Sequence, residues 1–169
     1  MSFEDIDCIA LEVFPRVPDA FDQKRLAMYV IKKRLKHENS ENQSISFDCG
    51  MWGLGASYDK RSNTVRLRKG VCVDGLKGML VGTYLMDQII NWAKKFDGAV
   101  FAQINLTEGL AYDENRHRRN RFYQRYGFVF DFGETIDRSG HSLPILVSEL
   151  QPLNTWKGNI RESTIQRYI

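Results

Sequence analysis

The sequence predicts an α/β fold, a mixed sheet flanked by helices. Three observations predict it: short apolar runs alternating with segments of helical period, a polar turn at residues 59–63 between two alternating runs, and proline or glycine where runs end. With 169 residues and 43% hydrophobic content, the chain is large enough to bury one sizeable core.

The elements follow in order. Residues 6–14, "IDCIALEVF", are rich in branched apolar side chains and stop at Pro15 and Pro18, which predicts a first strand. Phe21 to Lys36 places Leu26, Ala27, Val30, Ile31 and Leu35 at helical spacings, with lysines and arginines mostly elsewhere on the wheel, and predicts an amphipathic helix with a basic outer side. Residues 37–44 are polar and aperiodic, a connecting loop. Residues 45–74 hold strand-like runs about the turn at Asp59 to Asn63, after which Val65 and Leu67 alternate with Arg66 and Arg68, a hairpin signal.

Lys77 to Phe96 predicts a second helix with Leu80, Val81, Tyr84, Leu85, Gln88, Ile89 and Trp92 on one broad face, closed by Asp97 and Gly98. "AVFAQINL" at 99–106 suits a buried, parallel strand. A third helix ends in "RFYQRYG" with Gly127 as its stop, and "FVFDF" and "LPILVSEL" supply two last strands around a turn at Asp137 to Gly140. That order contains six or seven strands in a single domain over residues 1–150, and leaves 151–169 as a tail packed on the domain or serving an interface.

Composition excludes little. A net charge of +3 and a pI near 8.8 fall short of a strongly basic nucleic-acid binder. Cys8, Cys49 and Cys72 are odd in number and far apart, no zinc spacing accompanies them, and His37, His117 and His141 sit in polar surroundings, so no metal site is expected. The acidic N-terminus and the lack of a long apolar run point to a cytoplasmic protein without a membrane partner.

The stretch "GVCVDGLKGMLVGTYLM", residues 70–86, carries the chemistry. A strand turns through Gly75 and Gly78 into a helix whose first N–H groups have no internal partner, the helix dipole favours an anion there, and Lys77 adds a cation at the rim. The spacing matches neither a P-loop nor a dinucleotide fingerprint, so the glycines either cradle a phosphate or serve turn geometry. Tyr123, flanked by Phe122 and Tyr126, is likewise open between a chemical role and an aromatic on a buried helix face.

Two motifs give the sequence a resemblance. "KGMLVG" followed by a helix, and "NRFYQRYGFVF" some thirty residues beyond that helix, resemble the GNAT superfamily of acyl-CoA-dependent N-acyltransferases. Lys77 stands for the signature's arginine, Gly78 and Gly82 for its first and last glycines and Val81 for its isoleucine, while Leu80 stands where a glycine is usual. The resemblance implies a mixed, mostly antiparallel sheet and acetyl-CoA as co-substrate, its pyrophosphate on Lys77, Gly78, Met79, Leu80, Val81 and Gly82 and its pantetheine arm beside Val71, Cys72 and Val73. It implies that Tyr123 is the general acid in direct attack by an unidentified amine, and that a homodimer is a frequent arrangement.

No general base is evident: Asp48, Glu108 and Asp113 are candidates by position alone, and Cys72 has no histidine partner that would make it a nucleophile. Arg116, Arg118, Arg119, Arg121 and Arg125 crowd one helix. They are a solvated basic face, or they reach CoA phosphates, or they dock nucleic acid; the last defines the alternative function, a non-catalytic adaptor on a GNAT-like scaffold or an acyltransferase whose acceptor amine is borne on a nucleic acid.

Overall fold

The computed structural model describes residues 3–14, 27–38, 41–48, 53–69, 80–107 and 113–165. The chain is mixed α/β. Its strands are β1 (Phe3–Val13), β2 (Ala27–Glu38), β3 (Asn42–Asp48), β4 (Gly53–Asp59) and β5 (Thr64–Lys69), followed by helix α1 (Val81–Ala93). Then come β6 (Val100–Phe101), β7 (Asn105–Leu106), helix α2 (Asp113–Gln124), β8 (Phe130–Asp131), β9 (Gly140–Ser142), β10 (Ile145–Leu146), a 3-10 turn at Val147–Glu149 and β11 (Ile160–Thr164).

An eight-stranded sheet runs β10-β6-β5-β4-β3-β2-β1-β11, and β7-β9-β8 form a smaller one. Every pairing is antiparallel except β5 with β6, so the sheet is mostly antiparallel but wider than the six or seven strands expected.

The predicted helix from Phe21 to Lys36 is the largest correction: residues 27–36 belong to strand β2, and 15–26 lie outside the described residues. Ile31 and Leu35 lie four residues apart, a spacing that puts two side chains on one face of a helix and equally on one face of a strand. The odd-numbered positions of β2 decide it: Ile31 faces Ile9, Lys33 faces Asp7, and Leu35 stands beside Ile45 of β3. Because β2 runs to Glu38 and β3 starts at Asn42, residues 37, 38 and 42–44 of the loop expected at 37–44 are strand instead.

The predicted hairpin at 59–63 is present, its turn tied by the Ser62 hydroxyl and the Arg61 N–H to Asp59. The predicted strand 99–106 divides in two, because Ala102 N–H makes a last bond to Val65 and Ile104 then exchanges bonds with Ser142 of the smaller sheet. β8 pairs with β9 rather than with "LPILVSEL", which gives only the short β10 beside β6 and then the 3-10 turn.

α1 packs over β3 and β4 and is buried almost all round, with Asn91 its one exposed residue and Gly82 and Gln88 half-buried. One side meets Phe47 and Leu54 of the sheet; the other is covered by the C-terminal stretch, where Trp156 sets its ring edge-on to Tyr84 at 4.9 Å. β11 closes the outer edge of the large sheet by pairing Ile160–Thr164 with Ile9–Val13.

Candidate active site

The only parallel pair among the described strands is also where the sheet opens. β5 and β6 pair through Thr64 with Val100 and Val65 with Phe101, and the last bond is 2.7 Å from Ala102 N–H to Val65 C=O. The chain after Ala102 crosses to β7 in the other sheet, whereas β5 continues to Lys69 paired with β4. Among the described residues, no strand follows β5 on its β6 side from Leu67 onward. A strand edge of that kind offers backbone donors and acceptors for pairing.

The segment after β5 leads to the mouth of α1. Leu80 is the N-cap, in the left-handed conformation at φ 61°, and its apolar side chain makes no capping bond. It therefore precedes the helix instead of joining the apolar face expected of it. The first bond of the helix runs from Tyr84 N–H to Leu80 C=O at 2.9 Å, so no intrahelical bond is made by the N–H groups of Val81, Gly82 and Thr83. Val81 and Thr83 are buried, and Gly82 is the half-exposed residue of the mouth. Val71, Cys72, Val73, Lys77, Gly78 and Met79 lie outside the described residues, as do Cys49 and Glu108.

α2 brings Tyr123 to the smaller sheet. Its ring is 8% exposed, within 6.2 Å of Phe128 and 6.1 Å of Phe130, centroid to centroid, and edge-on to Phe122. Burial pushes its phenol above the ordinary range and the charge of Arg119 pulls it back. Three residues on, the Tyr126 hydroxyl lies 2.9 Å from Asp87 Oδ1 and 3.1 Å from the carbonyl oxygen of Thr83. The end of α2 is thus fastened to the first turns of α1, which ties the helix carrying Tyr123 to the helix mouth.

The arginines divide. Arg119 bonds the carbonyl oxygens of Thr107 and Arg138, each at 2.8 Å, and Arg116 pairs with Asp137 at 2.9 Å. Both are spent inside the molecule, while Arg118, Arg121 and Arg125 are exposed. Asp48 stands exposed at the end of β3 opposite Lys32, and Asp113 opens α2. His117 lies 3.9 Å from Asp137, and among the described residues no cluster of histidine, cysteine and carboxylate groups suits a metal.

Asp87 is the residue that sequence reasoning missed. It is fully buried, and besides Tyr126 it accepts bonds from the backbone N–H groups of Leu153 and Asn154 and from Trp156 Nε1. The signal in the sequence was an acid inside the apolar run "YLMDQII". Its four donors make it a structural anchor that ties α1 to Tyr126 and to the C-terminal stretch, rather than a base open to substrate.

The fold and site together define a mixed α/β protein with a mostly antiparallel sheet, split at the one parallel pair among the described strands, and a helix whose N-cap Leu80 makes no side-chain capping bond. No family model matches the sequence, and no curated protein matches it. Solved structures similar to the chain include a nourseothricin acetyltransferase, at 16% identity over 85% of each chain with a TM-score of 0.40. Another is a putative streptothricin acetyltransferase from Bacillus anthracis str. Ames in complex with acetyl coenzyme A, at 11% identity over 85% of this chain and 86% of that one, also with a TM-score of 0.40. Likeness at this level says nothing of chemistry. Among the described residues, no helix is long and apolar enough to cross a membrane.

Proposed function

We propose that the chain is an N-acyltransferase of the GNAT kind, moving an acetyl or similar acyl group from acyl-CoA to an amine. The observation that carries this reading is the splitting of the β5 and β6 pair, with α1 the next element in the chain after β5. A strand edge without a neighbour among the described residues suits an extended amide-bearing arm, which pairs with main chain as an added strand. A helix start without a side-chain cap suits a diphosphate.

The residues fit such a ligand. Leu80 holds the left-handed backbone that glycine favours, which is where the GNAT-type signature has a glycine. Gly82 keeps the mouth free of a side chain, and Lys77 follows in the signature's cationic position. In this reading Val71, Cys72 and Val73 pair with the pantetheine arm, and residues 77–82 hold the pyrophosphate. Acyl-CoA, when bound, supplies a thioester whose carbon–sulfur bond breaks as the amine forms the amide, the sulfur keeping the electron pair. Tyr123 gives its phenolic proton to that sulfur and regains one from solvent, while the amine's surplus proton leaves to a base or water chain.

The competing reading, nucleic-acid binding through the helix from Arg116 to Arg125, keeps only Arg118, Arg121 and Arg125 as its exposed arginines. Steep salt dependence of oligonucleotide binding would favour it. The deciding test is calorimetry with acetyl-CoA on wild type and Gly82→Trp. Binding in the micromolar range that the indole abolishes is the expected result. A folded wild type that takes up no acetyl-CoA refutes the enzyme.

A further inference from the structure

We propose that Arg119 is the positioning residue of Tyr123: placed one helical turn before it on α2 and anchored by three hydrogen bonds, it supplies a fixed cation on the face of the helix from which Tyr123 acts. This rests on the reading of Tyr123 as the acid in acyl transfer.

The geometry singles out Arg119 among the five arginines of this region. Residues four apart on α2 share a face, so Arg119 and Tyr123 are neighbours. The guanidinium is not free to wander. Its Nη1 bonds the Thr107 carbonyl oxygen and its Nη2 that of Arg138, each at 2.8 Å, while Nε bonds Asn120 Oδ1 at 3.0 Å. All three acceptors are neutral; the nearby Asp137 carboxylate also acts on Arg119 electrostatically, but its ion pair is with Arg116. Arg116, by contrast, is neutralised by Asp137 at 2.9 Å.

The surroundings of Tyr123 make that charge matter. The stretch packed on it, from Phe128 through β8, brings the rings of Phe128 and Phe130. From α2 come the Phe122 ring and Arg119, with Arg116 further up the helix paired to Asp137 of the turn between β8 and β9. A phenol among rings resists losing its proton, and a cation held beside it opposes that resistance. When Tyr123 passes its proton to the departing sulfur, the phenolate formed sits next to Arg119 until solvent returns a proton.

The test separates this role from that of a mere staple. Tyr123 is replaced by 3,5-difluorotyrosine, whose phenol ionises near neutral pH, and the ionisation is followed by fluorine NMR in the full-length protein carrying Arg119, Arg119→Lys or Arg119→Gln. Arg119→Met serves if the glutamine variant does not fold. The neutral variants should raise the midpoint by about one pH unit, a roughly tenfold loss of acidity, and Arg119→Lys should restore most of it. A midpoint that is the same in the neutral variants as in wild type overturns the proposal and leaves Arg119 a structural staple.

Turnover is the separate arm. With the natural tyrosine, Arg119→Gln should lower kcat about tenfold while KM for acetyl-CoA stays within about twofold. If Tyr123→Phe leaves turnover intact, the acid reading fails and the catalytic role of Arg119 with it, whatever the midpoint shows.

Discussion

Asp87 shows how one buried side chain can join parts of the chain far apart in sequence. Its two oxygens take a hydroxyl from the end of α2, an indole N–H and two backbone N–H groups from residues 153–156. Replacing it by alanine strands those donors in a dry interior, and each buried donor without a partner costs about 1–3 kcal/mol. Tyr126 keeps the Thr83 carbonyl as an alternative acceptor, so the expected loss for Asp87→Ala is about 4 kcal/mol, or roughly 10 °C in Tm by calorimetry. A loss below about 1 kcal/mol would mean that water satisfies the donors and that the anchor is not needed. The anomaly of an acid in "YLMDQII" was visible in the sequence, but its partners lie 39 to 69 residues away and could not be. Tyr123 was legible as a candidate for the same reason that its neighbourhood was not: a motif names a residue, whereas the cation beside it depends on which carbonyls Arg119 meets.

At the scale of elements, legibility followed the period. α1 and the hairpin of β4 and β5 were found because their patterns fit one structure only, while β2 was misread because Ile31 and Leu35 fit two. β9 escaped, and the break between β6 and β7 inside the predicted strand 99–106 did too, because strands of two and three residues carry no period at all. The turn between β8 and β9 has a further local feature: Ile136 and Asp137 both sit at positive φ, 46° and 57°. Thr135 holds this turn, its hydroxyl within hydrogen-bond reach of the carbonyl oxygens of Phe132 and Ser139, and Arg116 and Asn120 fix Asp137 from α2. A branched side chain strains that backbone, and at 84% exposed Ile136 gains no burial in return. Ile136→Gly should therefore stabilise the protein by about 0.5–1 kcal/mol in urea unfolding, the relief of strain outweighing the entropy of the added glycine. Destabilisation instead would show that the isoleucine is covered in solution by something its exposure does not reveal.

For the whole molecule, the sheet's connectivity was the least legible feature, since β11 and β1 are neighbours at an edge although they come from opposite ends of the chain. The core is rich in aromatic residues, and three of them are buried tyrosines on the two helices or just beyond: Tyr84, Tyr123 and Tyr126. Burial raises each phenol above its ordinary value of 10.0; Glu162 adds to the effect at Tyr84 and Asp87 at Tyr126, while Arg119 opposes it at Tyr123. The unfolded chain therefore releases these protons first as the pH rises. The stability they confer is complete below about pH 10 and is lost as the pH climbs toward the folded-state values. With Tyr84 and Tyr126 still protonated in the fold, the loss approaches roughly 3 kcal/mol for each pH unit above 10, and Tyr123 adds to it. Urea midpoints measured from about pH 8 to about pH 11 should be level at first and then fall steeply, and Tyr123→Phe should make the fall shallower by up to a third. A midpoint that stays level to about pH 11 would mean that these phenols ionise as readily in the fold as out of it, which an interior closed by β11 and the anchor at Asp87 does not permit.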